Sequence, residues 1–506
     1  MVKLNILIGG KAGQGINKIS EVVSRVLIKQ GYYTFNYRDY PSLIRGGHNF
    51  NVLTISDEPV ASNESKLDLI LALDEKTTEL HEQELKQGGI ILNSEKFKEL
   101  GRNLNIALAG ALIKILGIEK EKLIEEIKNQ FDEKAVADAG KGFESQEKKF
   151  NFEKLKNKIS ILSGSQAVAQ GALNSKINLY LSYPMTPATG VLHELASKQK
   201  EDNLKVFQPE NEIAVVNAGL GASFTGARTM VGTSGGGFDL MTEALSFQGQ
   251  SEIPLTFYLA SRPGPGTGVP TYTCQADLNM ALYSGHGEFP RVVIAPGDIV
   301  EAIENTNEAM YLAEKFKTAS IILSDKHLAE SEFSFSNQIK EPIDIEITRN
   351  LPGKKIVRKS SYEHDEFGET TENAEITKKN ADARIEKAQA IAKECEKFDM
   401  IKFYGNPESK NLVIGWGSTK GAILDAIKNL DVKFLQVIYL EPFSDIIGQE
   451  IKEADKIVLI ENNSTAQLGR LIKEKTGVEI KERILRYDGR AFLSDVLRGE
   501  IKEVLK

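Results

Sequence analysis

The sequence predicts an α/β protein of three domains built on mainly parallel, doubly wound sheets. Three observations carry that expectation. Short apolar runs such as LNILIGG, PLTFYLASR and NLVIGWGS alternate with segments of helical apolar spacing, the pattern that crossover connections between parallel strands require. The 506 residues suffice for about three domains of ordinary size. Two polar, charge-rich stretches, near 133–160 and 331–400, separate the alternating regions.

In the first region, 1–155, LNILIGG (4–10) reads as a strand ending in glycines. The segment INKISEVVSRVLIKQG follows, with apolar residues at Ile16, Ile19, Val22, Val23, Val26 and Leu27. That spacing is helical, and Gly31 is a plausible stop. LDLILALD (67–74) and GGIILNS (88–94) read as buried strands of a parallel sheet, followed by helical patterns near 104–116 and 119–130. The lysine-rich residues 133–160 read as a linker. The second region, 160–330, begins with a glycine- and alanine-rich helix and alternates through LYLSYPMTP, LKVFQPENE, RTMVGTS, PLTFYLASR and RVVIAPGD. Residues 331–400 form a charged connecting segment ending in a long helix, AEITKKNADARIEKAQAIAKECEKF. The last region, 401–506, alternates again through NLVIGWGS, VKFLQVIYL and KIVLIENN.

Composition excludes several classes. The hydrophobic fraction of 41% and charged fraction of 26% are those of a globular protein in water. A net charge of −8 gives no general attraction to nucleic acid or anionic membrane, so neither is an expected partner. Two distant cysteines, Cys274 and Cys395, exclude a disulfide framework and fit a reducing cytosol. They also exclude an iron–sulfur cluster held by four cysteines of this chain. No run of about eighteen apolar residues occurs, and the opening VKLNILIGG lacks the features of a signal peptide. A cytoplasmic location is expected.

Several stretches carry candidate chemistry. GGKAGQG (9–15) lies between a strand and a helix, where backbone amides can hold a phosphate, or where the glycines only make a tight turn. Ala12 stands where a dinucleotide fingerprint needs its second glycine, and the P-loop lysine–hydroxyl pair is absent. Arg45, beside Gly46–Gly47, adds a basic residue for an anionic ligand. In YPMTPAT (183–189), Pro187 suits the first helical position, which makes Thr186 the expected N-cap. The helix amides then either serve only that cap or face a ligand carboxylate with the Thr186 hydroxyl.

QPENEIAVVNAGLGASFTG (208–226) places Glu210 and Glu212 at the head of a helix with a small apolar face. A carboxylate there would be partly desolvated and suited to proton work, or would only complement the helix dipole. TSGGGFDLMTEAL (233–245) sets Gly235 and Gly236 at the start of another helix. ASRPGPGTGVPTYTCQADL (260–278) is a Pro/Gly loop carrying Arg262, Thr267 and Thr271. Arg262 is the candidate carboxylate clamp, against the alternative of a solvated loop arginine. His286 in GHGEFP reads as a structural hydrogen-bonder.

In this order, GGKAGQG, SLIRGG, YPMTPAT, ENEIAVVNAGLGAS, TSGGGFDLMTEAL, RPGPGTGVPT, QADL, GHGE, EHDEFGETTE, GWGSTKGAI and ENNSTAQLGRL resemble the alpha subunits of 2-oxoacid:ferredoxin oxidoreductases. The form resembled carries a gamma domain fused at its N-terminus, and the resemblance covers nearly the whole chain. It implies a coenzyme A-associated gamma domain at 1–155, a thiamine-diphosphate pyrimidine-binding domain at 160–330 and a transketolase C-terminal-like domain at 401–506. It implies oxidative decarboxylation of a 2-oxoacid with coenzyme A to acyl-CoA and carbon dioxide, with electrons passing to ferredoxin. The family's beta subunit carries the diphosphate–Mg2+ site and a [4Fe–4S] cluster, so an alpha–beta or (alpha–beta)2 assembly is expected.

Position by position, the resemblance puts the glutamate that contacts the thiamine aminopyrimidine at Glu212, with Gly235 and Gly236 beside the cofactor. It puts the residues binding the 2-oxoacid's carboxylate and carbonyl at Thr186, Arg262 and Thr271. The region holding coenzyme A falls on Gly13, Gln14, Gly15 and Arg45. Met185, Ala188, Thr189 and Gly266–Thr267–Gly268 depart from the usual pattern, which leaves the choice of 2-oxoacid open. A self-sufficient thiamine enzyme is disfavoured because no Gly-Asp-Gly stretch is followed by the asparagines of a diphosphate site. A non-catalytic assembly or regulatory subunit is the reading from another class. A nicotinamide dehydrogenase is disfavoured by Ala12.

Overall fold

A computed structural model of the chain describes residues 2–41, 47–128, 130–200, 204–336, 338–347 and 349–506. Arg45 lies outside the described residues. The chain forms two compact units. One comprises Met1–Leu162 with Ser331–Asn337 and Leu493–Arg498; the other comprises Ser163–Glu330, Gln338–Phe492 and Gly499–Lys506.

The first unit holds a seven-stranded sheet in the order Leu85–Asn93, Leu67–Ala72, Lys3–Lys11, His48–Ser56, Tyr33–Asp39, Glu332–Phe335 and Ser160–Ser163. The first three strands run parallel, as the alternating pattern predicts. The strands His48–Ser56, Tyr33–Asp39 and Glu332–Phe335 pair antiparallel, so this sheet is mixed. The helix Ile16–Lys29 buries all six apolar residues that its spacing singled out. Strand Leu85–Asn93 differs from expectation. It sits at the sheet edge, and its residues are mostly half-buried or exposed, with only Leu92 inside.

The expected linker also differs. Residues Glu133–Glu144 form a helix capped by Asp132, whose carboxylate accepts the Ala135 N–H at 2.8 Å. It packs against the helix Leu104–Leu116 at a spacing only glycine permits. A methyl at Gly110 would lie 2.1 Å from the Ala139 carbonyl oxygen, and one at Gly142 would lie 1.8 Å from that of Ala107. The buried residues are alanines, glycines and Asp138, and the exposed ones are mainly lysines and glutamates, so the segment has the composition of a linker and the packing of a helix.

The second unit holds two sheets. One runs Tyr439–Glu441, Arg291–Ile294, Ala319–Asp325, Leu255–Ser261, Thr229–Thr233, Leu179–Ser182 and Lys205–Phe207, parallel except at the Tyr439–Glu441 edge. The other runs Ile401–Gly405, Lys433–Val437, Asn411–Trp416, Lys456–Glu461 and Arg483–Leu485, parallel except at the Ile401–Gly405 edge. One apolar core serves both sheets; it includes Val231, Phe257, Leu259, Val293, Ile414, Trp416 and Leu459. Among the described residues no helix is long and apolar enough to cross a membrane.

Candidate active site

Four neighbouring parallel strands, Leu255–Ser261, Thr229–Thr233, Leu179–Ser182 and Lys205–Phe207, deliver the candidate residues of the second unit. Arg262 follows the first, Gly235 and Gly236 the second, Thr186 the third and Glu212 the fourth. The carboxyl ends of adjacent parallel strands are where open α/β sheets place their ligands.

Glu212 opens the helix Glu212–Phe224, and Asn211 caps it by accepting the Ala214 N–H at 2.9 Å. The dipole of the helix end is therefore served without Glu212 turning back to cap it. Glu212 is only 3% exposed, and its Oε1 has no hydrogen-bond partner among the described residues. Glu210 is exposed, which separates the two acidic residues the sequence left together. Gly237 admits the Glu212 side chain: a methyl there would lie 2.7 Å from Glu212 Oε1 and 2.1 Å from Thr233 Oγ1.

Gly237 is the third residue of the helix Gly235–Ser251. Gly235 faces a second carboxyl, since a methyl at Gly235 would lie 2.7 Å from Asp277 Oδ2. Gly236 faces the Pro/Gly loop, with the Gly266 carbonyl oxygen 3.7 Å from the position of its absent methyl. The three glycines thus gather Asp277, the loop and Glu212 about one helix N-terminus.

Arg262 is half-buried and donates from Nη1 to the Thr186 carbonyl at 2.8 Å. Burial lowers the pKa of its guanidinium, and the Asp277 and Glu212 charges oppose that shift. Thr186 departs from expectation. Met185–Ala188 form a turn closed by the Ala188 N–H donating to the Met185 carbonyl at 2.8 Å, and the Thr186–Pro187 peptide is cis. The helix starts only at Thr189, so Ala188, which has no side-chain acceptor, stands at the N-cap. The group that Thr186 presents to Arg262 is its carbonyl.

The Pro/Gly loop is ordered by its own backbone. Val269 N–H donates to the Pro263 carbonyl at 3.0 Å, and Gly268, at φ 53°, lies where a methyl would strike that oxygen. Thr271 is buried and Thr267 exposed. Tyr272 lies under the Arg490 guanidinium, and Thr273 N–H donates to the Gly489 carbonyl at 3.1 Å. Gln275 then ties the loop to the third sheet: its Nε2 donates to the Trp416 carbonyl at 2.8 Å and its Oε1 accepts the Asn462 N–H at 2.9 Å. His286 is exposed, and its carbonyl accepts the Ser246 hydroxyl at 2.7 Å.

Asp277 is the residue that sequence reasoning missed. It stands at the N-cap of the short helix Leu278–Tyr283 yet makes no capping bond. Burial pushes its carboxyl up to about 6, against the opposing influence of Ser261 and Arg262. QADL was visible in the sequence, but an aspartate just before a helix reads as an ordinary cap.

The GGKAGQG loop belongs to the first unit. Gln14 Oε1 accepts the Lys11 N–H at 2.6 Å, and Gly13 and Gly15 take φ of 87° and 85°. A methyl at Gly15 would lie 2.2 Å from Asn105 Nδ2. Beside the strand end, His48 and His81 share a hydrogen bond between their Nε2 atoms at 3.0 Å. His48 Nδ1, Asn49 Oδ1 and Asp74 Oδ2 are buried without hydrogen-bond partners among the described residues.

Comparison with known proteins gives a consistent set of likenesses. A family model described as pyruvate flavodoxin/ferredoxin oxidoreductase, thiamine diP-bdg, matches residues 170–398, and one described as pyruvate ferredoxin/flavodoxin oxidoreductase matches residues 5–103. The chain is 29% identical to the 2-oxoacid:ferredoxin oxidoreductase subunit alpha of a Sulfolobus species, over all of this chain and 97% of that protein. It is 32% identical to the 2-oxoglutarate synthase subunit KorA of Archaeoglobus fulgidus, over 62% of this chain and 90% of that one. Its fold is similar to that of the 2-oxoglutarate:ferredoxin oxidoreductase from Magnetococcus marinus, with a TM-score of 0.91, full coverage of both chains and 23% identity.

Proposed function

The chain belongs to the 2-oxoacid:ferredoxin oxidoreductase family as an alpha-type subunit, and from that premise we propose how its residues divide the work. The chain supplies the aminopyrimidine side of a thiamine diphosphate site and the pocket for a 2-oxoacid's carboxylate. The observation that carries this reading is Glu212, a buried carboxylate whose Oε1 is unpartnered among the described residues and which is received by Gly237. A buried oxygen left without a donor costs free energy unless a ligand supplies one, and an aminopyrimidine ring offers N–H and ring-nitrogen partners for a carboxyl.

Glu212 holds a proton at the ring edge, and Gly235 and Gly236 leave the helix N-terminus open beside it. Arg262 and Thr271 receive the carboxylate and carbonyl of the 2-oxoacid, with the turn at Thr186 setting the guanidinium's direction. When bound, thiamine diphosphate supplies the electron sink for decarboxylation. The Gly13–Gln14–Gly15 loop, with Arg45, is the proposed place of coenzyme A. Residues 1–155 act as the gamma domain, 160–330 as the pyrimidine-binding domain, 331–400 as the connecting segment and 401–506 as the transketolase C-terminal-like domain. The reaction is oxidative decarboxylation to acyl-CoA and carbon dioxide, with two electrons passing to ferredoxin.

Mg2+ and the [4Fe–4S] cluster are assigned to a beta subunit. The two cysteines of this chain are too few for the four thiolates of such a cluster. Apolar residues exposed beside the site favour a docked partner: Ile213 follows Glu212, Leu240 lies one turn beyond Gly237, and Val269 precedes Thr271. The test is reconstitution. The purified chain alone should reduce no viologen with a 2-oxoacid and coenzyme A, and the alpha–beta complex should do so. Turnover by the chain alone would overturn the shared site.

A further inference from the structure

The sheet of residues 401–485 has a crevice of the kind that holds ligands in other α/β proteins, and the chain fills it with its own residues. From strand Asn411–Trp416 the chain passes to Lys433–Val437 on one side, then crosses to Lys456–Glu461 on the other. Both neighbours run parallel to it. The gap between Asn411–Trp416 and Lys456–Glu461 is therefore the topological switch point, and open α/β sheets bind ligands there, beyond the carboxyl ends of the strands. The helix Gln467–Thr476 follows, and a helix N-terminus in that position suits an anion. The anion in this protein is the Glu461 carboxylate. It accepts the Leu468 N–H at 3.0 Å, the Gly469 N–H at 3.1 Å and the Trp416 Nε1–H at 3.1 Å.

What enters the crevice is Gln275, from the segment that carries Arg262 and Thr271. It is 1% exposed, and all four of its polar groups are bonded to the two strand ends. Its Nε2 donates to the Trp416 carbonyl at 2.8 Å, and its Oε1 accepts the Asn462 N–H at 2.9 Å. Its backbone N–H donates to the Asn462 carbonyl at 2.7 Å, and its carbonyl accepts a bond from Asn463 Nδ2 at 3.1 Å. Gly417 makes room, since a methyl there would lie 2.9 Å from Gln275 Nε2. Asn463 is aimed by a second bond, from its Nδ2 to Glu461 Oε2 at 2.8 Å. The fastening extends to both sides. The Thr273 hydroxyl donates to Asp325 Oδ1 at 3.2 Å, and Asp325 Oδ2 accepts the Ser418 hydroxyl at 2.5 Å. Gln467 Nε2 donates to the Ala276 carbonyl at 2.7 Å, and its Oε1 accepts the Asn279 N–H at 3.0 Å.

We propose that this crevice is a socket for the substrate loop, and that Gln275 is the positioning residue that seats Thr271 for the 2-oxoacid. The GWGS and ENN stretches, which end the two strands, form the walls of the socket. The inference rests on the assignment of Thr271 to the substrate. A loop already held by buried hydrogen bonds needs little further ordering when the substrate arrives. A loop released at Gln275 does, and a displacement of about 1 Å at the substrate costs up to about a hundredfold. Coenzyme A, assigned to the Gly13–Gln14–Gly15 loop, does not meet this segment in the same reading and is spared.

The experiment measures kcat and KM for pyruvate, 2-oxoglutarate and coenzyme A in the reconstituted alpha–beta complex, with denaturant unfolding of each variant alongside. Gln275→Met keeps the length of the side chain and removes its hydrogen bonds. It should raise KM for the 2-oxoacid roughly tenfold to a hundredfold and leave KM for coenzyme A in place. Gln467→Met, which unties only Ala276 and Asn279, should move the same constant in the same direction by a smaller factor. Val458→Ala thins the buried core of the same sheet and should lower stability with both KM values unchanged. A fall in kcat with an unmoved KM would mark Gln275 as merely structural and overturn the socket, as would a coenzyme A KM that rises by the same factor. If Gln275→Met does not assemble, Gln467→Met decides, and a wild-type KM for the 2-oxoacid in that variant overturns the proposal. Thr271→Val separates the two readings. If it leaves KM for the 2-oxoacid unaltered, the assignment of Thr271 is wrong; if it raises KM while Gln275→Met does not, only the socket is wrong.

Discussion

Replacing Gly237 by alanine tests whether the Glu212 carboxyl must occupy the place the fold reserves for it. The added methyl would meet Thr233 Oγ1 at 2.1 Å, Glu212 Cγ at 2.7 Å and Glu212 Oε1 at 2.7 Å. All three distances are below van der Waals contact. Thr233 and Glu212 are 1% and 3% exposed, so neither can swing into solvent. In an unobstructed helix, alanine for glycine gains about 1 kcal/mol, whereas overpacking of this kind costs about 1–3 kcal/mol. The net effect on stability is therefore small, up to about 2 kcal/mol. The effect on turnover is larger, because a displaced proton-handling group forfeits a contribution of roughly 10²–10⁴ in rate. Gly221→Ala is the matched control: it sits in the Glu212 helix with nothing within 4 Å of its absent methyl. Viologen reduction by the reconstituted complex and denaturant unfolding of each variant make the comparison. Gly237→Ala should lose at least about a hundredfold in kcat, and Gly221→Ala should keep wild-type activity with equal or greater stability. Equal activity of the two variants would refute the packing argument.

Two further outcomes follow from the same geometry. Arg262→Ala removes the proposed charge-assisted partner of the substrate carboxylate, worth about 1.5–3 kcal/mol, so KM for the 2-oxoacid should rise roughly tenfold to a hundredfold while KM for coenzyme A stays put, as steady-state kinetics will show. Asp277→Asn should also change stability in a pH-dependent way. The folded-state pKa of this carboxyl is raised from 3.8 to about 6, so the folded state binds the proton more tightly than the unfolded one. The cost of holding the ionised form therefore grows as pH rises from about 4 and is fully present above about 6. The variant should resist denaturant better than the wild type at pH 8 and show little advantage at pH 4.

Legibility in the sequence followed the size of the residues doing the packing. The helix Ile16–Lys29 was readable because Ile16, Ile19, Val22, Val23, Val26 and Leu27 mark its buried face without ambiguity. The parallel sheets were readable because continuous apolar runs such as PLTFYLASR leave no solvent face. The helix Glu133–Glu144 escaped because its buried face is alanine and glycine with one aspartate, and the signal for it is close approach, not apolar bulk. Strand Glu332–Phe335 escaped because it sits in a charged segment, and its antiparallel partner, Tyr33–Asp39, lies some three hundred residues earlier. In the site, Glu212 and Arg262 were visible as rare charges beside small-residue helices and Pro/Gly turns. The Thr186 cap failed because a turn closed by Ala188 precedes the helix, which no local composition rule distinguishes from a helix start. Asp277 was hidden by its resemblance to a cap, and only the direction of its carboxyl separates the two roles.

The central claim is that this chain contributes the proton-handling carboxylate of a cofactor site completed by a second subunit. The direct measurement is 2-oxoacid- and coenzyme A-dependent viologen reduction by the alpha–beta complex carrying Glu212→Gln, a change that keeps the size of the side chain and removes its acidity. The account predicts a loss in kcat of roughly 10²–10⁴ in a complex that still assembles; a variant complex with wild-type kcat would contradict it.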